Sequence, residues 1–220
     1  MFENMNSLSK RNVTDAVLLA KRLLIDNIYS QANLEGIAVT FANTNDIINN
    51  INVDSITPKD ISKVLCLRDG WEFILNSIEQ DLSLVMIEEL HSLVARFDVP
   101  YYYLGKPRQD IVRISGTDWV PEIPNIEEIY NYIELNKYVS SVEDCMIVGL
   151  YFMRTQLFKD GNKCIGSFII NKLLIMNGLG ILKIPVKLDT EFKTKLVEYY
   201  ETNDCSTLVK FLIESCFVSI

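Results

Sequence analysis

The sequence predicts a mainly α fold, one helical bundle carrying a small β-hairpin, and three observations predict it. Val13, Val17, Ala20, Leu24 and Ile28 recur at spacings of four and three, which places them on one face of a helix. Met146 to Phe152 and Ile165 to Met176 are apolar nearly all the way round, the pattern of helices at the centre of a bundle. Only one stretch, "YYYLGKPRQDIVRISG", has β character, as two short β-prone runs joined by Gly-Lys-Pro-Arg.

In chain order, the first helix runs from about residue 10 to 35 and stops at "NLEG", where Gly36 suits a left-handed cap. "FANTNDIINNINVDSITPKDISKVL" then supplies Asn and Asp clusters that break helices, and Thr57-Pro58 opens a new one. Helical patterning continues through "KDISKVLCLRDGWEFILNSI" and "SLVMIEELHSLVARF". A hairpin is expected near residues 101 to 115. Proline-punctuated "WVPEIPNIEEI" leads into a helix reaching about Tyr138. The two buried helices follow, and Gly178 in "MNGLGI" stops the second. Helices near Thr190 to Tyr200 and Ser206 to Cys216 complete the chain. With no internal repeat or long linker, residues 1–220 read as one domain.

Composition narrows the function. A hydrophobic content of 49% in 220 residues is ample for a core. The net charge of −8 argues against a nucleic-acid partner, since binding a phosphate backbone draws on clustered Lys and Arg. "MFENMNSLSKR" lacks the basic-then-apolar layout of a secretory signal, and no apolar run reaches the roughly 18 residues of a membrane span, so a cytoplasmic protein without a membrane partner is expected. Five scattered cysteines without a C-x-x-C pair support neither a disulfide framework nor structural zinc. The one histidine, His91, reads as a helix-surface or partly buried residue; a histidine base, if the chain has one, can be no other.

Chemistry concentrates in "QLFKDGNKC", residues 156 to 164, at the entrance of the second buried helix. Unpaired backbone N–H groups and the helix dipole make such an entrance receptive to anions. Gly161 allows a phosphate to approach the backbone, Asn162 adds an amide donor, and Lys163 adds positive charge. Asp160 suits Mg²⁺, which takes one or two carboxylates together with phosphate oxygens and water. Asp-Gly-Asn before a helix is equally an ordinary turn.

The stretch resembles the signature of Fic-domain proteins, H-x-F-x-(D/E)-G-N-(G/K)-R. Other segments are similar to that family in the same order: "SQANLEGIAVTF" to its inhibitory helix, "LGKPRQDIVRISG" to its flap hairpin, and "SFIINKLLIMNGLGILKIP" to the helix after its loop. The resemblance implies a helical core with a hairpin flap over a nucleotide site, and transfer of AMP from ATP onto a protein hydroxyl. Lys163 also resembles the death-on-curing toxins, which transfer a phosphate. Carried over, Phe158 anchors the loop, Asp160 binds Mg²⁺, and Gly161, Asn162, Lys163 and the Cys164 position cradle the phosphates of ATP or another nucleotide. Ile111, Val112, Arg113 and Ile114 form the flap strand, on which a target protein docks as an added strand. A homo-oligomer is left open.

Two positions depart from the signature. Gln156 stands where the family has its catalytic histidine, and an amide cannot take a proton from a hydroxyl. Cys164 replaces the arginine that grips the terminal phosphates, with neither fixed charge nor a bidentate fork. Arg154 is no substitute, because a helix through residues 146 to 157 puts it about 200° round the axis from Gln156. The family's inhibitory glutamate corresponds to Glu35, followed by Gly36, with Gln31 at the Ser/Thr position. Its arginine partner is missing, so Glu35 is either a plain helix end or keeps a regulatory contact, with Lys163 as the candidate. These departures leave three expectations: a nucleotide- and Mg²⁺-binding but catalytically impaired nucleotidyl transferase, a non-catalytic interaction protein, or a variant phosphate transferase.

Overall fold

The computed structural model describes residues 2–220, with side chains from residue 12 onward. The chain begins with helices α1 (Phe2–Arg22) and α2 (Leu24–Leu34), α3 (Phe41–Ile48), α4 (Pro58–Asn76) and α5 (Leu84–Val94). Helices α6 (Ile126–Asn136), α7 (Val142–Thr155) and α8 (Asn162–Met176) follow. Strand β1 (Gly180–Leu182), helices α9 (Asp189–Thr202) and α10 (Ser206–Ser215), and strand β2 (Phe217–Ser219) complete it. The expected first helix is nearly continuous: Leu23 interrupts it, yet Leu23 N–H still reaches the Leu19 carbonyl at 3.0 Å and Asn27 N–H reaches Leu23 at 2.9 Å. Gly36, with φ +77°, follows α2 in the left-handed region that glycine enters without strain.

Side-chain caps fix several starts. Thr57 accepts from the Asp60 N–H ahead of Pro58, Ser83 caps α5, and Ser141 caps α7. Helix α8 lies at the centre, with every residue from Cys164 to Ile175 buried. It crosses α7 at very close range. A Cβ on Gly149 would sit 2.6 Å from the Gly166 carbonyl oxygen and 2.2 Å from Ile170 Cγ1, and one on Gly166 would sit 2.6 Å from the Gly149 carbonyl. Backbones so close bring the α7–α8 loop rigidly onto the core, with Phe152, Phe158 and Phe168 fully buried around it.

The β structure lies elsewhere than expected. Among the described residues the paired strands are β1 and β2, antiparallel with Ile181 opposite Val218, and residues 101 to 115 form no hairpin. Tyr101–Tyr103 make a 3-10 turn instead, and residues 111 to 114 run without a strand partner. The cause is Arg108, in the middle of the expected turn, which is 1% exposed. Its Nε donates to the Gln156 carbonyl and Nη1 to the Asp110 carbonyl, both at 2.6 Å, while Nη2 reaches the carbonyls of Glu122 and Pro121. A turn pulled into the protein cannot bring its two flanks together as a ladder. The alternation of a strand survives, since Ile111 and Arg113 are exposed while Val112 and Ile114 are half-buried.

Candidate active site

The α7–α8 loop is built from inside. Helix α7 ends at Gln156, which takes a left-handed φ of 50° and ψ of 54°, a conformation uncommon for a non-glycine residue. The turn is closed by Asn162, whose Oδ1 accepts from Phe158 N–H at 2.8 Å. Its Nδ2 donates to the Phe158 carbonyl at 2.8 Å and to Gln156 Oε1 at 3.1 Å. The Asn162 amide, expected to face a phosphate, is thus spent holding the loop's shape. Gln156 is similarly occupied, with Nε2 donating to the Met153 carbonyl at 2.6 Å.

His91 supports the loop from below and is fully buried rather than at a helix surface. Its ring stacks on Phe158 at 3.8 Å. Nδ1 accepts from Gly105 N–H at 2.9 Å, which leaves the proton on Nε2 to donate to the Asp160 carbonyl at 3.2 Å. Burial pushes the imidazole down to about 4, against the opposing pull of Asp160, so it is neutral at physiological pH. With both nitrogens engaged and no face open, His91 is no general base. From the side, Arg108 ties the flap to the loop through its bond to Gln156 and through its own N–H, which donates to the Leu157 carbonyl at 2.9 Å.

What remains available is the entrance of α8. Gly161 has φ +78°, and no side chain caps the N–H groups that follow it. Asp160 is exposed, with Oδ1 accepting from Gly161 N–H at 2.7 Å. The loop forms one wall of a cleft of about 520 Å³, and Val112 to Ser115 and the α9 residues Lys193, Leu196, Val197 and Tyr200 form others. Arg113, Lys159, Lys163 and Lys193 line it against two carboxylates, Glu35 and Asp160. Lys159 and Lys193 are also paired, with Asp110 at 3.4 Å and Asp189 at 2.7 Å, so an anionic ligand suits the four lining cations by drawing them from these carboxylates. A side chamber of about 220 Å³ shares Glu35, Asp160 and Gly161 with the cleft and is walled by Cys164.

Lys163 does not point freely into this cleft. Its Nζ donates to the Leu34 carbonyl at 2.9 Å and lies 3.6 Å from Glu35 Oε2, so the α2 end holds the loop's lysine. Glu35 therefore fills both roles open to it, as the residue ending α2 and as the partner of Lys163. Its Oε1 is buried without a hydrogen bond, and burial pushes the carboxyl up, opposed by Lys163 and reinforced by the charges of Asp160 and Asp98. The Cys164 thiol is buried and held well above its ordinary value by burial and then by Glu35, so it stays protonated. Arg154 serves the scaffold, donating to the Tyr200 carbonyl at 3.2 Å and lying over the Trp119 ring at 4.6 Å.

The structure thus brings together Gln156, Asp160, Gly161, Asn162, Lys163, Glu35 and the segment from Val112 to Ile114 at one cleft. Cys164 borders the adjoining chamber, Ile111 is exposed beside the cleft, and Gly36 lies past the end of α2. Arg108, His91, Lys193 and Tyr200 were not legible as site residues. No short motif carries them, and only the fold brings them to the loop. No group of three His, Cys, Asp or Glu side chains placed to hold a metal occurs among the described residues, and none of their helices is long and apolar enough to cross a membrane.

A central helix pair joined by an anion-receptive loop, with an N-terminal helix and a flap over it, is the architecture of the Fic fold. The solved structures that share it include a fragment of Fic-1 from C. elegans, with a TM-score of 0.76 and 17% identity over 97% of this chain and 71% of that one. A Fic domain containing signaling protein from Bacteroides thetaiotaomicron matches with a TM-score of 0.72 and 16% identity, covering 86% of this chain and 74% of its own. A Fic family protein from Desulfovibrio desulfuricans matches with a TM-score of 0.68 and 15% identity, covering 96% and 70%. The sequence matches no protein-family profile and no curated protein.

Proposed function

We propose that the chain is a Fic-type nucleotide-binding protein whose transfer chemistry is impaired. The observation that carries this reading is the uncapped N-terminus of α8, which lines a cationic cleft between the flap segment and α9. The N–H groups of Asn162, Lys163 and Cys164 would receive a phosphate. Asp160 fits the single carboxylate that Mg²⁺ needs beside a nucleotide, its orientation set by the Gly161 N–H. The ion, when bound, would neutralise phosphate charge.

The chain's own groups limit the transfer step. Gln156, its amide already bonded to Met153 and Asn162, cannot take a proton from a hydroxyl, and loss of a general base typically costs about 10²- to 10⁴-fold. The neutral Cys164 offers a terminal phosphate no charge. The tie from Lys163 to Glu35 and Leu34 keeps that lysine turned toward α2, a regulatory contact that replaces the family's glutamate–arginine lock. Restoring both lost groups, with Gln156→His and Cys164→Arg, tests the reading. Transfer of labelled nucleotide to protein by the double variant, with little by the native chain, supports it. No gain in the folded double variant weighs against it.

A second reading, a non-catalytic protein that holds a partner on its flap, is favoured by the unpaired run from Ile111 to Ile114, with Ile111 67% exposed. It predicts that Asp160→Ala leaves partner capture intact while Val112→Pro abolishes it.

A further inference from the structure

We infer that the seam between α2 and α8 contains a built site for a single water molecule, which bridges the two helices beside the loop. The seam holds a partly open pocket of about 10 Å³, lined by Asn27, Ser30, Gln31, Ser167, Asn171 and Lys183 over an apolar floor that includes Trp71 and Leu182. That is about the space one water occupies.

The walls supply polar atoms that nothing in the protein satisfies. Asn27 is 2% exposed, Gln31 8% and Ser167 3%. Both amide atoms of Asn27, Gln31 Nε2 and Ser167 Oγ are buried with no hydrogen-bond partner among the described residues. Four such atoms around one cavity are too many for a well-packed interior, where buried polar groups are paired with protein or with ordered water. Asn171 does not compete, because it donates to the carbonyls of Ser167 and Leu182 and accepts from the Leu182 N–H.

The orientation of Gln31 decides which ligand fits. Trp71 Nε1, which can only donate, bonds Gln31 Oε1 at 2.7 Å, so Gln31 Nε2 must present its hydrogens to the cavity. A cation is therefore repelled, and an organic group or a polyatomic anion is too large. A water accepts from Gln31 and donates to Ser167 Oγ and to the Asn27 amide, three partners, the usual number for an internal water.

The site has a place in the loop's support. Gln31 stands one turn before Glu35 on α2, and Ser167 stands one turn after Lys163 on α8. The water and the Lys163 tie are thus successive rungs across one seam, and together they set the register of Glu35 over the loop. This inference does not depend on what occupies the cleft.

A high-resolution crystal structure of the full chain tests the site. A density peak at hydrogen-bond distance from Gln31 Nε2 and Ser167 Oγ is expected. Its absence, or direct pairing between Asn27 and Ser167, overturns the inference. In solution, Asn27→Ala and Ser167→Ala form a double-mutant cycle, and a shared water predicts coupling of at least about twofold in the unfolding constant. Strict additivity in folded variants also overturns it.

Discussion

Replacing Arg108 by Met asks whether the flap is held to the loop by one buried side chain. The guanidinium is almost wholly buried, yet the partners at hydrogen-bond distance are carbonyls: Gln156, Asp110, Glu122 and, at 3.4 Å, Pro121. Hydrogen bonds to a charged donor contribute roughly 1.5–3 kcal/mol each, and the substitution removes three short ones. Keeping the cation from water costs several kcal/mol, which Met relieves. The balance is a loss of roughly 2–4 kcal/mol, and at about 2–4 °C per kcal/mol for a chain of this size Tm falls by roughly 4–16 °C. Hydrogen exchange localises the damage, with faster exchange in the segment from residue 109 to 123 and in the loop after Gln156. A Tm within about 1 °C of the native value, with unchanged exchange in both segments, would mean that Arg108 does not hold the flap to the loop.

Three further outcomes are expected at buried groups. His91 is held down to about 4 from an ordinary value near 6.5, so its contribution to stability is full above pH 6.5 and is lost as pH falls toward 4, by about 3 kcal/mol. Denaturant titrations across that window should show the loss in the native chain and a flatter profile in His91→Gln. Gly149→Ala drives a methyl into Ile170 and the Gly166 carbonyl and should cost about 2–3 kcal/mol in a thermal melt. Lys172 is buried, donates to the Ser77 carbonyl at 2.7 Å, and is pushed down to about 8 by burial. Because Gln80 N–H also bonds that carbonyl, Lys172→Met should raise Tm by roughly 2–6 °C at pH 7, an advantage that shrinks from pH 8 to 10.5 as the native lysine's proton is lost.

The helices were legible because their signals are local. Thr57-Pro58 marks the start of α4, and the all-round apolarity of Ile165 to Met176 marks a central helix. Strands β1 and β2 were not, since three-residue runs 35 or more positions apart carry no readable period. The hairpin failed for a related reason. "GKPRQ" has the composition of an exposed turn, and nothing local says that its arginine has four carbonyls waiting in the interior. At the site, the sequence marked the stretch from Gln156 to Cys164 as the loop and named Lys163 as the candidate partner of Glu35. It could not show that Asn162, Gln156 and Lys163 spend their side chains on the protein itself, because those partners, Phe158, Met153 and Leu34, are defined only by how the chain turns at Gln156 and where α2 ends.

That a nucleotide still enters this cleft is measured directly by calorimetric titration of the full chain with ATP and other nucleotides, with and without Mg²⁺. Mg²⁺-dependent binding is expected, with a dissociation constant between about micromolar and millimolar, weakened roughly tenfold or more by Asp160→Ala. Binding of no nucleotide under either condition would contradict the claim.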